Sequence, residues 1–115
     1  MEKKEFKFID RMLVVGLLPQ QGSFFSMKLV NDFKNEIAFS EEEFKNHNIR
    51  VKGNNYVWDK EPKEGKIVNI GPVVLSEIKK IVLMKDSNNE LVSEHIPLLE
   101  KLFDIEELFA EQTKK

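Results

Sequence analysis

Cysteine is absent from this chain. Its absence excludes disulfides, zinc–thiolate sites, iron–sulfur clusters and a thiol nucleophile. Arginine is nearly absent: only Arg11 and Arg50 occur, although arginine is the commonest reader of DNA bases. No apolar run approaches the ~20 residues that span a bilayer. The charged segment Met1–Lys7 is not followed by a signal-peptide core. Together these features predict a cytoplasmic protein, not a membrane one. Neither sign of charge dominates: 18 Lys and Arg stand against 20 Asp and Glu, a net charge of −2. A strongly basic nucleic-acid binder would show a clear positive excess. The five glycines, Gly16, Gly22, Gly53, Gly65 and Gly71, form no phosphate-cradling loop. No serine sits in a G-x-S-x-G elbow.

What remains is a chain of 115 residues, 41% apolar and 33% charged, enough for one packed domain over 1–115. Its ends, Met1–Lys4 and Gln112–Lys115, are polar and Lys-rich, the composition of flexible termini. Alternation over Glu5–Phe8 predicts a strand. Ile9, Met12, Leu13 and Leu17 then form a helical stripe, stopped at Leu18 because the residue before Pro19 avoids the α region. A second helix starts at Ser23 or Ser26 and turns Met27, Val30, Phe33 and Ile37 inward. Ser40-Glu41-Glu42-Glu43 is a capping box, with Phe39 and Phe44 as its hydrophobic staple.

A hairpin follows, Ile49 and Val51 leading to Tyr56 and Trp58 through Gly53-Asn54-Asn55, residues that tolerate positive φ. Lys66–Ile70 reads as another strand anchored by Ile67. Gly71-Pro72 opens a helix to about Lys85, since a proline at the first helical position gives up no hydrogen bond. A helical tail, one bent helix or two short ones, carries the stripe Leu98, Leu102, Ile105 and Phe109. The fold class is α+β: a small antiparallel sheet of three or four strands on about four helices. Three helices followed by a hairpin is also the element order of a winged helix.

Chemistry is sparse in this pattern. His47 and His95 lie in different elements without a carboxylate at ligand spacing, so neither predicts a metal site. Glu41, Glu42 and Glu43 point about 100° apart on a helix and cannot converge on one ion; capping accounts for them. No catalytic residue and no cofactor are expected, and an enzyme is disfavoured. In the winged-helix reading the recognition position carries three glutamates and Lys45, which would repel phosphates; the wing Arg50-Val51-Lys52 is mildly basic. Nucleic acid is therefore the disfavoured partner.

Tyr56 and Trp58 belong to the residue types enriched at interaction hot spots. With Arg50, Lys52, Asn54 and Asn55 they form the candidate ligand- or partner-binding surface; the alternative is that both rings pack the sheet onto the first and fourth helices. Leu98, Leu102, Ile105 and Phe109 are the candidate oligomer interface if their stripe is exposed; the alternative is that it folds back over the sheet. A nucleotide ligand would have to draw on Arg50, Lys52 and Lys66.

Asp10-Arg11-Met12-Leu13, Leu17-Leu18-Pro19-Gln20-Gln21-Gly22, Met27-Lys28-Leu29-Val30-Asn31-Asp32 and Phe39-Ser40-Glu41-Glu42-Glu43 resemble a pattern in small bacteriophage- and prophage-encoded proteins. The resemblance covers about the first 45 residues, and the hairpin and the Gly71 helix match more loosely. It brings no catalytic residues. It implies a non-enzymatic binding protein that sequesters or blocks a host factor, either a defence protein or a nucleotide signal, as a homo-oligomer. The alternatives are a winged-helix regulator and a minor virion or assembly component.

Overall fold

The computed structural model describes residues 2–53 and 55–110. In chain order these form β1 (Glu2–Phe6), α1 (Phe8–Val15), α2 (Phe24–Ile37), α3 (Glu41–Asn46), β2 (Arg50–Lys52), β3 (Asn55–Val57), β4 (Lys66–Ile70), α4 (Pro72–Ser87), α5 (His95–Leu102) and α6 (Ile105–Leu108). The class is α+β. Four of these helices have eight residues or more; α3 and α6 are single short turns of chain.

The strands do not join into one sheet of three or four. They form two antiparallel pairs, β1 with β4 and β2 with β3. The reason lies at the outer edge of β4. There the Asn69 N–H donates to the Glu36 carboxylate at 3.1 Å, and the Lys66 ammonium donates to the Glu36 carbonyl. Helix α2 thus occupies the edge that the hairpin would need. At the chain's start, residues 2–4 are strand, not a flexible end: Glu2 pairs with Ile70 and Phe6 with Lys66. The expected loose segment Gln112–Lys115 lies outside the described residues.

The first strand ends earlier than the alternation over Glu5–Phe8 predicts. The Lys7 backbone N–H donates to the Asp10 carboxylate at 2.9 Å, and that bond starts α1 at Phe8. Helix α1 stops at Val15, with Gly16 as its cap, while Leu17 and Leu18 continue into the core beyond it. Its buried residues are Phe8, Asp10, Arg11 and Val14; of the expected stripe, Leu17 is buried beyond the helix and Leu13 packs against the core, while Ile9 and Met12 are half-buried. The two buried charges are tolerated because both are paired, as described below.

Other expected stops and starts match. Ser23 caps α2 by accepting from the Ser26 N–H. Ser40 and Glu43 close the capping box of α3, and the Phe39 and Phe44 rings meet edge-on at 6.1 Å. Pro72 occupies the first turn of α4. The tail is two short helices, divided where the Asp104 carboxylate accepts from the Glu106 and Glu107 N–H groups. In β4 the pattern is shifted by one residue: Val68 and Ile70 are buried and Ile67 is exposed. A strand's two faces alternate, so this single step exchanges core for solvent.

The core lies between the β1–β4 ribbon and the helices, with Phe6, Val30, Phe33, Val68, Ile78 and Leu98 at its centre. Leu98 is 0% exposed, Leu102 is buried with it, and Ile105 and Phe109 pack against the same cluster. The tail stripe therefore folds back on its own chain and is not the exposed oligomer interface expected of it. Gly65 sits where β4 approaches β1: a Cβ there would lie 2.6 Å from the Phe6 carbonyl oxygen. Its N–H donates to the Glu5 carboxylate.

Candidate functional site

The only two arginines have opposite fates. Arg11 projects from α1 into the interior and is 2% exposed. Its guanidinium makes two bonds to the Glu43 carboxylate, at 2.6 and 3.0 Å. The remaining donors reach the carbonyls of Ile37 (2.9 Å) and Ala38 (2.7 Å), which are the last, unpaired carbonyls of α2. One planar cation thereby ties α1, the end of α2 and the start of α3 together. Asp10, one residue earlier, is bonded to the Lys101 ammonium of α5 at 2.5 Å.

The Arg11 guanidinium also stacks on Phe39, 4.4 Å from the ring centroid, a favourable cation–π distance. Around that pair the aromatic rings gather edge-on. Phe8 meets Phe39 at 5.0 Å, His47 at 5.2 Å and Trp58 at 5.6 Å. Tyr56 meets Phe39 at 6.0 Å and Phe44 at 6.3 Å. The hairpin is therefore held by rings of α1 and α3 and of the turn before α3. Trp58 does pack onto α1, as the alternative reading held, while the ring partners of Tyr56 lie at and before α3 and not on α4.

Val51 lies opposite Tyr56 in the β2–β3 register and so shares its face. That face has Phe44 and Tyr56 partly exposed and Val51 67% exposed. Arg50 bonds the Asn48 carbonyl at 2.9 Å and the Asp59 carboxylate at 3.4 Å. Asn48 donates to the same carboxylate, and Asn48 and Arg50 in that order hold Asp59 below the usual carboxylate range. Lys52 is exposed on β2. Asn55 belongs to β3, and Asn54 lies outside the described residues.

His47 donates through Nδ1 to the Lys60 carbonyl at 2.7 Å, because a carbonyl oxygen can only accept. His95 accepts through Nδ1 from the Val92 N–H at 3.0 Å; burial, then Lys85, holds its pKa below the ordinary value. Among the described residues no group of three His, Asp or Glu side chains is placed to hold a metal ion. No helix among them is long and apolar enough to cross a membrane. A cleft of about 390 Å³ opens beside Arg11, but Lys7 and Lys66 on its wall alternate with Glu43, Glu61 and Glu64, so no single sign of charge is concentrated there.

The sequence reading missed Arg11, Phe8 and Phe39 as the support of the hairpin. The available signal was the Phe8–Arg11–Val14 spacing, which places an arginine on the inward side of α1. It also missed Phe24, 85% exposed, and Phe25, which is exposed beside it on the first turn of α2.

The ion pair has a testable pH signature. The Arg11 hydrogen bond, opposed by burial and aided by Ser40, lowers the Glu43 pKa from 4.5 to about 2. A carboxylate stabilised in this way supports the fold fully above pH 4.5 and loses that support as pH falls toward 2. The urea midpoint of the wild type should therefore fall across that window. Glu43→Gln should start lower at pH 7 and change less across the same window; parallel curves for the two proteins would sink the assignment.

No family model, curated protein or solved structure matches the chain.

Proposed function

We propose that this chain is a non-enzymatic, phage-encoded binding protein that blocks a host protein through the aromatic face of its hairpin. The observation that carries this reading is the patch Phe44, Val51 and Tyr56. Its rings are exposed at one edge and braced at the other by Phe39 on Arg11. Rigid, partly exposed aromatics lose little entropy on binding, which is why they anchor interfaces. A nucleotide signal is the weaker choice of partner, because Arg50 is engaged by Asp59 and the cleft beside Arg11 mixes charges. For a winged-helix role, α3 would have to approach phosphates with Glu41 and Glu42 exposed, against Coulomb repulsion. Action on a host factor rests on the phage resemblance.

The test compares the wild type with Val51→Asp and Phe24→Ser as immobilised baits in host-cell lysate. Both positions are exposed, so folding should change by less than about 0.5 kcal/mol. The expected result is a defined host protein held by the wild type and by Phe24→Ser but lost by Val51→Asp. Loss with Phe24→Ser alone moves the contact to α2 and overturns the hairpin assignment. A DNA-fragment shift with a steep salt dependence would favour the winged-helix regulator instead.

A further inference from the structure

We infer that the groove between α5, α6 and the chain leading into α5 receives a basic amphipathic helix of another protein. This site is separate from the hairpin face and stands whether or not that face binds. The groove encloses about 400 Å³. Its floor is Leu91, Leu99, Ile105 and Phe109, and Val92 and Ile96 form exposed walls. Apolar side chains of this number around one hollow provide several anchor positions for an inserted side chain.

Two features select the occupant. Among the described residues, the lining comes from α4, α5, α6 and the chain flanking them, and from none of the strands. No strand edge is offered there, so the occupant must satisfy its own backbone hydrogen bonds, as a helix does. The rim is acidic: Asp86 and Glu100 line the groove, and Glu94 and Lys85 both act on His95 within it. Among the described residues, these three carboxylates against one ammonium favour a helix whose apolar stripe is flanked by lysine or arginine. The same rim disfavours a second copy of this chain. A two-fold contact would set one acidic rim against another.

The experiment titrates the full-length protein into a fluorescein-labelled leucine–lysine peptide of about 16 residues, with leucines at helical spacing. A leucine–glutamate peptide of the same pattern serves as the comparison. The expected result is saturable anisotropy with the lysine peptide and at least tenfold weaker binding of the glutamate peptide. Ile96→Asp decides between groove docking and diffuse attraction. It adds a negative charge yet removes an apolar wall. Groove docking predicts a roughly tenfold loss with Ile96→Asp and a comparable loss with Glu100→Lys, while Phe24→Asp, at an exposed position outside the groove, leaves binding unchanged. Unchanged or tighter binding by Ile96→Asp overturns the proposal. So does sedimentation that shows a wild-type dimer dissolved by Ile96→Asp, because the groove would then hold a second copy.

Discussion

Arg11→Met should destabilise the protein by about 3 kcal/mol, a large share of the 5–15 kcal/mol typical of a domain. Methionine replaces most of the buried aliphatic volume, so the loss is not chiefly one of packing. It comes from the Ile37 and Ala38 carbonyls, which lose their donors, and from Glu43, which loses both bonds of its fork. An unpaired buried acceptor costs about 1–3 kcal/mol, which applies to Ile37; Ala38 is exposed, so its carbonyl can turn to water at a smaller cost. Glu43 limits the total, because it keeps partial access to water. Arg11→Lys should fall between the wild type and methionine: the charge survives, but the planar fork and the stacking on Phe39 do not. Denaturant unfolding of the three proteins measures the series. If methionine matched the wild type, Arg11 would not be what ties α1, α2 and α3 together.

Leu98→Ala should cost about 3 kcal/mol, within the range for emptying a filled core position. Leu98 is fully buried beside Leu102, and the neighbouring helices can collapse only partly into the space. The diagnostic is concentration. A residue buried within its own chain lowers the melting temperature by the same amount at every protein concentration. An interface residue makes that temperature concentration-dependent. A wild-type melting temperature that climbs on a hundredfold increase in concentration, with the climb abolished in Leu98→Ala, would return the tail stripe to an oligomer contact.

These two residues also show what a one-dimensional reading can and cannot reach. Helix starts were legible: Ser23, Ser40 with Glu43, and Pro72 act within a few positions, so the local order carries them. The helical stripe of α2 was legible for the same reason, with Val30, Phe33 and Ile37 buried. What depends on distant partners was not. The tail stripe reads identically whether it covers its own core or meets another chain, and Leu98 settles that only through contacts made in space. The partners of Arg11, Glu43 and the end of α2, come beside it only in space. Sheet membership was lost to Glu36, whose bond to the Asn69 backbone closes an edge that hydrophobic pattern alone leaves open. At the hairpin, the reading found Tyr56 and Trp58 but not Phe8 and Phe39 beneath them, because ring clustering across α1, α3 and β3 has no period along the chain.

The pairing of β1 with β4 sets an order of events during synthesis. Glu2 leaves the ribosome well before its partner, Ile70. Until β4 emerges, β1 has no ladder to join, and Phe6 has none of its β4 neighbours to cover it. The tie from Asp10 waits longer still, for Lys101. The hairpin and the capped helices close short loops and can form early, whereas the ribbon closes a long one at greater entropic cost. The growing chain therefore carries an open strand edge until β4 emerges, a stage at which chains of this kind are exposed to mispairing and aggregation.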